Sequence, residues 1–386
     1  MSARRVALLM AVFLLLPSFF SYAGAQESRA GAPEWGLDLT IRGTGLAIGH
    51  VPRVNGIRIN FRDRYLEEVN GLNLTLWGPA RDWDGTGTVR GLALGLAAPT
   101  AARLKGISLG GVAVVADQEM SGIGVGGVAV VSQGTLRGIA LGGIAVVSEG
   151  SSSGINIGGL ATVSQGSAHG INVAGLATVT DGSSAGINVG GLATVAGGGS
   201  LSGISLGGLA VVGSENLTGI SLGGLATVAG SGSARGIQAG GLAVVAGDGS
   251  LEGLNVGGLA VVAGLGVARG VNLAGLAVVG QEGVEGLSLA GVAVVSQEHL
   301  RGVSLAGYKI DAPDARWVTG ALWKVEVDAA QGLSVAAWNE HASTSRGLSI
   351  GVVNRARELQ GIQLGLLNFA GNNARFRWLP LVNAHF

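Results

Sequence analysis

The sequence predicts an all-β protein, a parallel β-solenoid of about twenty 16-residue coils with two strands in each coil and aromatic caps at the ends. Three observations predict it. Glycine fills 72 of the 386 positions, Gly-aliphatic pairs recur every 16 or 17 residues, and apolar residues alternate with polar ones within a unit. Each unit is too short to fold alone, so neighbouring units must stack and pair their backbones.

One regular unit runs from Gly154 (position 1) to His169 (position 16). Positions 2 and 4 are aliphatic and position 3 is Ser or Asn, which predicts a strand. The Gly pair at positions 5 and 6 predicts a sharp bend, positions 7–10 predict a second strand, and positions 11–16 predict a turn. The regular units start at Gly106, Gly122, Gly138, Gly154, Gly170, Gly186, Gly203, Gly219, Gly236, Gly253, Gly270, Gly286 and Gly302.

This reading assigns a direction to each side chain. Positions 2, 4, 7 and 9 are expected in the interior, and positions 3 and 8 on the outside. Charged residues between 106 and 301, such as Asp117, Arg235 and Arg269, are expected in the turns rather than in the strands. Position 6 is Gly throughout the regular array, so we expect it to need either a positive φ or a close backbone approach.

An up-and-down outer-membrane β-barrel is the alternative fold. The chain ends in Phe386 behind alternating apolar residues, as the last strand of such a barrel does. Against it, successive units share one length and one turn chemistry, and residues 84–307 contain no aromatic side chain that could form a girdle. The solenoid is therefore the favoured reading.

The chain divides into four segments. Residues 1–25 predict a signal peptide, because Arg4 and Arg5 precede an apolar run and Ala23-Gly24-Ala25 resembles a cleavage site. Residues 26–105 form an N-terminal cap with irregular coils, 106–307 the regular array, and 308–386 the irregular C-terminal coils and cap. The looser units are expected to start at Gly56, Gly71, Gly91, Gly320, Gly332, Gly347 and Gly361.

Few residues carry recognisable chemistry. Zero net charge gives no footprint for nucleic acid, and the absence of Cys excludes disulfides and thiolate-ligated metals. We predict no catalytic, cofactor-binding or metal-ligating residue, and no cofactor, because the five His are far apart in sequence. The groups weighed and set aside are His50, His169, His299, His341 and His385; Glu282, Glu285 and Glu298; Asp82-Trp83-Asp84; Asp311, Asp314, Arg316 and Trp317; and the charged segment 62–68.

Position 3 supports a separate hypothesis. Asn156, Asn172, Asn188, Ser205, Ser221, Asn255 and Asn272 are expected to form an outward ladder. Such a ladder stabilises stacked strands. It could also form a flat surface that binds ice or a polymer.

Two C-terminal segments resemble a known family. Gly347-Leu-Ser-Ile-Gly-Val-Val-Asn354 and Gly361-Ile-Gln-Leu-Gly-Leu-Leu-Asn368 are similar to the Gly-Leu-Gln-Ile-Gly-Leu-Ile-Asn units of a bacterial surface-repeat family first named in leptospires. The final nine residues are similar to the ends of related exported proteins. The resemblance implies an exported envelope protein of uncharacterised function and supplies no catalytic residue.

Together these observations predict an exported structural or adhesive protein of the bacterial envelope that is not an enzyme. The expected location is the cell surface or outer membrane, with the periplasm as the alternative. An envelope polymer, a ligand on a host surface and a membrane are the partners considered. A barrel acting as pore or anchor, and a carbohydrate-active enzyme on a β-helix, are the alternative functions.

Overall fold

The computed structural model describes residues 35–78 and 86–386; the predicted signal peptide and the Asp82-Trp83-Asp84 group lie outside these residues. The described chain forms a β-solenoid of about 19 turns. Gly154 lies directly between Gly138 and Gly170 in parallel register. The prediction of a parallel solenoid is therefore confirmed, and the barrel alternative is wrong. At a strand spacing of about 4.8 Å the rod is roughly 90 Å long.

The N-terminal coils begin with an antiparallel hairpin whose turn is Arg42-Gly43, both at positive φ. The remaining strands of this segment pair in parallel. The strands are β1 (Gly36–Ile41), β2 (Thr44–Gly49), β3 (Arg53–Asn60), β4 (Glu68–Thr75), β5 (Thr88–Gly95), β6 (Thr100–Gly110) and β7 (Ala113–Gly126).

In the regular array each coil has one short strand and one long strand, and each kind stacks into its own parallel ladder. The short strands are β8 (Ala129–Ser132), β10 (Ala145–Ser148), β12 (Ala161–Ser164), β14 (Ala177–Thr180), β16 (Ala193–Ala196), β18 (Ala210–Gly213), β20 (Ala226–Ala229), β22 (Ala243–Ala246), β24 (Ala260–Ala263), β26 (Ala277–Gly280) and β28 (Ala293–Ser296). The long strands are β9 (Thr135–Gly142), β11 (Ser152–Gly158), β13 (Ala168–Ala174), β15 (Ser184–Gly190), β17 (Leu201–Gly207), β19 (Leu217–Gly223), β21 (Ala234–Gly240), β23 (Leu251–Gly257), β25 (Val267–Ala274), β27 (Gly283–Ala290) and β29 (His299–Ala306).

The boundaries differ from the predicted ones by a residue or two. The short strand covers positions 8–11, and the long strand begins at position 15 of the preceding unit. In units of either length we count positions 15 and 16 back from the next position 1 glycine. Arg235 and Arg269, at position 16, therefore lie within strands, and the expectation that charges are confined to turns is wrong. An outward strand position tolerates a charge as well as a turn does, because it is equally solvated.

The C-terminal coils are shorter, and short and long strands merge. Gly302, Trp317 and Gly332 occupy position 1 of successive units. These units are 15 residues long, which leaves too few residues for a separate turn between the two strands. Gly320 pairs with Leu305 at position 4, so the unit expected to start at Gly320 starts at Trp317. The strands are β30 (Lys309–Ala321), β31 (Lys324–Val335), β32 (Trp338–Ile350), β33 (Val353–Ala370) and β34 (Trp378–His385), the last antiparallel to β33.

Both ends of the rod thus finish in an antiparallel strand. The ring of Phe369 contacts that of Trp378, with centroids 5.0 Å apart. Trp35 and Phe386 are largely exposed at the two ends.

The interior holds the face that the sequence analysis placed outside. Asn156 is buried, whereas Ile157 and Leu160 are at least two-fifths exposed. The buried positions are 3, 5, 9, 11 and 15, so the prediction is right for position 9 and wrong for positions 2, 4 and 7. The narrow coil explains this, because it admits only a fixed volume at each level.

Volume compensation between positions 15 and 3 shows that constraint. These two residues lie on the same inward face of one long strand, two residues either side of the position 1 glycine. A Cβ at Gly124 would collide with the end of the Met120 side chain. A large residue at one position is paired with a small one at the other, as in Met120 with Gly124, Leu136 with Ala140, Leu201 with Ser205, and Ala234 with Gln238.

Two glycine positions are fixed by backbone geometry. Gly154, at position 1, has a φ of 112°, and a Cβ there would collide with the carbonyl oxygen of Gly138. Gly127, at position 6, has no positive φ, but a Cβ there would meet the carbonyl oxygen of Gly111. The close approach expected at position 6 is therefore present, and the positive φ lies at position 1 instead.

Candidate functional surface

The largest unusual feature is an apolar surface on the outside of the rod. We call it the aliphatic face and define it as positions 2, 4 and 7 of the units from Gly106 to Gly302. These side chains point outward because the same strands turn positions 3, 5 and 15 inward. Eleven position 7 side chains, between 41% and 50% exposed, form its crest: Val112, Ile144, Leu160, Leu176, Leu192, Leu209, Leu225, Leu242, Leu259, Leu276 and Val292.

A groove runs beside this crest. Between Val256 and Leu305 it has a volume of about 390 Å³, with position 4 side chains such as Leu273 and Leu289 on one wall and the small residues of positions 5 and 6 as its floor. The floor is bare at position 6 because a side chain there would collide with the carbonyl of the unit before. The aliphatic face therefore has a ridge along its length and, between Val256 and Leu305, a parallel furrow.

Charged side chains lie away from the crest and neutralise one another. Arg235 pairs with Glu252 at 3.2 Å, and Arg269 with Glu285 at 2.7 Å, at successive position 16 residues. Beyond the array, Lys309 contacts both Asp311 and Glu326 at 2.7 Å. Hydrogen bonds to Asp311 and then to Glu326 raise the pKa of Lys309, so its ammonium group stays charged near neutral pH.

Of the three glutamates considered for catalysis, Glu285 is held by cationic side chains. Glu285 accepts hydrogen bonds from Arg269 and Arg301 and contacts Nε2 of His299 at 3.0 Å. Burial alone would raise the pKa of Glu285, but the hydrogen bonds from Arg269 and His299 outweigh it and lower that pKa. Glu282 and Glu298 lie in bends outside the strands. A carboxylate held this way is a structural ion-pair partner rather than a proton donor.

The histidines are dispersed along the rod. His169 is exposed on a long strand, His299 pairs with Glu285, and His385 contacts Asn372. His50 lies edge-on to Tyr65, with ring centroids 6.4 Å apart. Within residues 35–78 and 86–386 no group of three His, Asp or Glu side chains could hold a metal ion.

His341 is the one histidine placed in the core, between Val327 and Ala356 of the adjacent rungs. Neither ring nitrogen has a hydrogen-bond partner. Burial lowers the pKa of His341 to about 4. The imidazole is therefore neutral inside the folded rod at neutral pH.

Trp317 combines high exposure with backbone strain. It occupies position 1, where the neighbouring units have Gly302 and Gly332, and its φ is 95°. A bulky residue at such a φ is a genuine outlier. Its side chain is 73% exposed, and the adjacent Asp314 and Arg316 pair with each other at 3.0 Å.

The position 3 ladder is internal. Asn156 donates to Asn172 and Asn172 donates to Asn188, so the amides stack along the rod axis. A separate ladder, at position 8 of the C-terminal coils, links Asn339, Asn354 and Asn368 at 2.8 Å each. The structural role expected of the ladder agrees with this geometry, whereas ice or polymer binding through it is excluded by burial.

The charged segment 62–68 is a loop whose acid turns inward. Asp63 is fully buried and pairs with the equally buried Arg58 at 2.9 Å. Its two carboxylate oxygens also accept hydrogen bonds from Asn73 and Thr75. Burial lowers the pKa of Arg58 despite the nearby Asp63. Sequence analysis did not single out Arg58; its signal is a charge at position 3, where other units have small neutral residues.

Comparisons with known proteins add no assignment: no family model, no curated protein and no solved structure matches this chain. In the described part of the chain, no helix is long and apolar enough to cross a membrane.

Proposed function

We propose that this chain is an exported structural or adhesive rod of the bacterial envelope, and that the aliphatic face is its working surface. The observation that carries the proposal is the extent of that face. It runs over thirteen units, about 60 Å at a rung spacing near 4.8 Å. The largest apolar patch of an ordinary monomer covers only a few hundred Å² and is often functional.

The distribution of polar groups supports the same role. Asparagine, serine and threonine side chains that could serve a solvated surface are buried, and aliphatic side chains that could fill a core are outside. This arrangement buries less apolar area in the core and leaves apolar area in contact with water. A contact that covers the outer aliphatic side chains would recover that lost hydrophobic free energy. A rod that adheres along its length supplies that contact.

The export half of the proposal is tested by expressing residues 1–386 in a Gram-negative host. We expect the mature chain to begin at Gln26 and to fractionate with the envelope. An Ala23→Asp/Ala25→Asp variant, which alters the small residues of the cleavage site, should keep residues 1–25 attached. Recovery of the unmodified chain in the cytoplasm with Met1 intact would contradict export.

The adhesive half is tested by deleting the gene from the bacterium that carries it. We expect altered resistance of the envelope to detergent or osmotic shock, restored by the wild-type gene. A copy with Leu192→Glu and Leu209→Glu should not restore it, although a copy with Gln133→Glu and Gln165→Glu in exposed turns should. Equal rescue by both copies would exclude the aliphatic face as the working surface.

A further inference from the structure

We propose that the aliphatic face binds a second copy of this chain, and that two rods lie side by side in parallel orientation. The inference rests on the proposed structural role and names the partner of that surface. It is argued from the area of the face, its shape, its period and the charges beside it.

The area is more than sufficient. The face carries three outward side chains in each of thirteen units, and many of the Ile and Leu side chains are two-fifths exposed. That amounts to on the order of 2,500 Å², against about 800 Å² for each partner of a standard stable interface. A two-fold pair could therefore leave half of the face unused and still be stable.

The shape of the face is self-complementary. Between Val256 and Leu305 the crest of Leu259 and Leu276 stands beside a furrow whose floor includes Gly258 and Gly275. When a second rod is related to the first by a two-fold axis parallel to the rods, its crest faces the furrow of the first, and the reverse holds by symmetry. Such a two-fold contact uses the same surface on both copies and closes without further growth.

The period selects the partner. Apolar side chains repeat at every rung, so a crest fits into a furrow along its whole length only when both have the same spacing. A second copy has that spacing by construction. Paired sheets with small and aliphatic side chains exclude water between them in this way.

The charges next to the face do not favour an anionic membrane. From Arg235 to Arg301 the residue before each position 1 glycine alternates in sign, and Lys105 and Arg137 both pair with Glu119, so no continuous basic rim borders the apolar surface. The face itself carries no charged residue at positions 2, 4 or 7. Two copies can therefore approach without like-charge repulsion.

The test is sedimentation velocity of the mature chain, residues 26–386, at micromolar concentration without detergent. We expect a dimer. Leu192→Glu/Leu209→Glu should weaken dimerisation at least 100-fold, because it places four acids in an apolar contact. Gln133→Glu/Gln165→Glu adds the same charge in exposed turns and should leave the dimer intact. Circular dichroism should show the same strand content in all three proteins.

Crosslinking gives an answer even if the Glu variants fold poorly. The chain has no Cys, so Leu209→Cys, near the middle of the face, introduces the only thiol. We expect rapid oxidation to a covalent dimer, while Gln165→Cys, in a turn away from the face, should form no covalent dimer. A wild-type monomer, with or without binding to phosphatidylcholine vesicles, would overturn the inference, as would open-ended aggregation unaffected by the Glu substitutions. Export and the deletion phenotype are measured separately, so they stand or fall independently of this result.

Discussion

Asn172 accepts a hydrogen bond from Asn156 at 2.8 Å through its Oδ1 and donates one to Asn188 at 3.0 Å through its Nδ2. All three amides are buried. The link is between rungs rather than within one, so Asn172 finds both of these partners only when the neighbouring units are in register. A polar interior of this kind holds the stacking register more strictly than methyl groups would, since an unpaired amide in the core is costly.

Asn172→Ala should destabilise the rod by about 2 kcal/mol, because the Nδ2 of Asn156 loses its buried acceptor. Ile171→Ala, on the outward face next to it, should cost under about 1 kcal/mol. Urea unfolding of both variants, done where the chain is monomeric, provides the measurement. A larger effect at Ile171 would mean that the aliphatic side chains form the core after all.

Gly170→Ala should be among the most damaging small substitutions in the array. Gly170 has a φ of 106°, and a Cβ would collide with the carbonyl oxygen of Gly154. We expect a loss of about 3 kcal/mol or more. Gly197→Ala in a turn is the matched control, since Gly197 has no positive φ and a Cβ there would have no neighbour closer than 3.5 Å. Similar melting temperatures for the two variants would contradict this assignment of roles.

Trp317→Gly should stabilise the chain. It removes a bulky residue from a φ of 95° and loses a side chain that is 73% exposed, so relief of strain should exceed lost contacts by about 1 kcal/mol. Trp338→Gly, on a strand with ordinary φ, should do the opposite. Differential scanning calorimetry of both variants tests the prediction, and a lower melting temperature for Trp317→Gly would show that the indole has a packing role.

His341 should make the rod sensitive to mild acid. Its pKa is about 4 in the folded chain and near 6.5 when unfolded, so the unfolded state binds the proton first. Stability is therefore present above pH 6.5 and falls by about 3 kcal/mol as the pH drops from 6.5 to 4. His341→Gln should flatten this part of the pH profile in chemical denaturation, and the exposed His169→Gln should leave it unchanged. Identical profiles for wild type and His341→Gln would refute the assignment.

The sequence was sufficient for the architecture because period and backbone chemistry were visible in it. Equal unit lengths implied translation from one unit to the next, and the Gly pair placed the bend. It was misleading about the two faces of each strand. Alternation along a strand shows that Asn156 and Ile157 point in opposite directions, but it does not show which of them points inward. Hydrophobicity suggested Ile157, whereas the narrow coil admits Asn156.

The sequence does contain a signal that identifies the inward face, but it lies in pairs of residues rather than in single positions. Met120 with Gly124 and Ala234 with Gln238 vary in opposite directions, as only residues packed together need to do. The start of the Trp317 unit was missed for a similar reason. The search for units required Gly at position 1, and this unit has Trp there. Buried ions such as Arg58 with Asp63 depend on a loop folding inward, and no local pattern encodes that.

Inter-rung backbone hydrogen bonds, such as that from Leu176 N to Leu160 O, run along the rod axis. Tension applied at the two ends therefore acts on the rungs in series. At each junction between two adjacent rungs, all the backbone hydrogen bonds that join them share the force. Added units make such a fibre longer without making it stronger, because rupture occurs at the weakest junction. The breaking force is then set by irregular junctions such as the shifted register between β31 and β32, and not by the regular array.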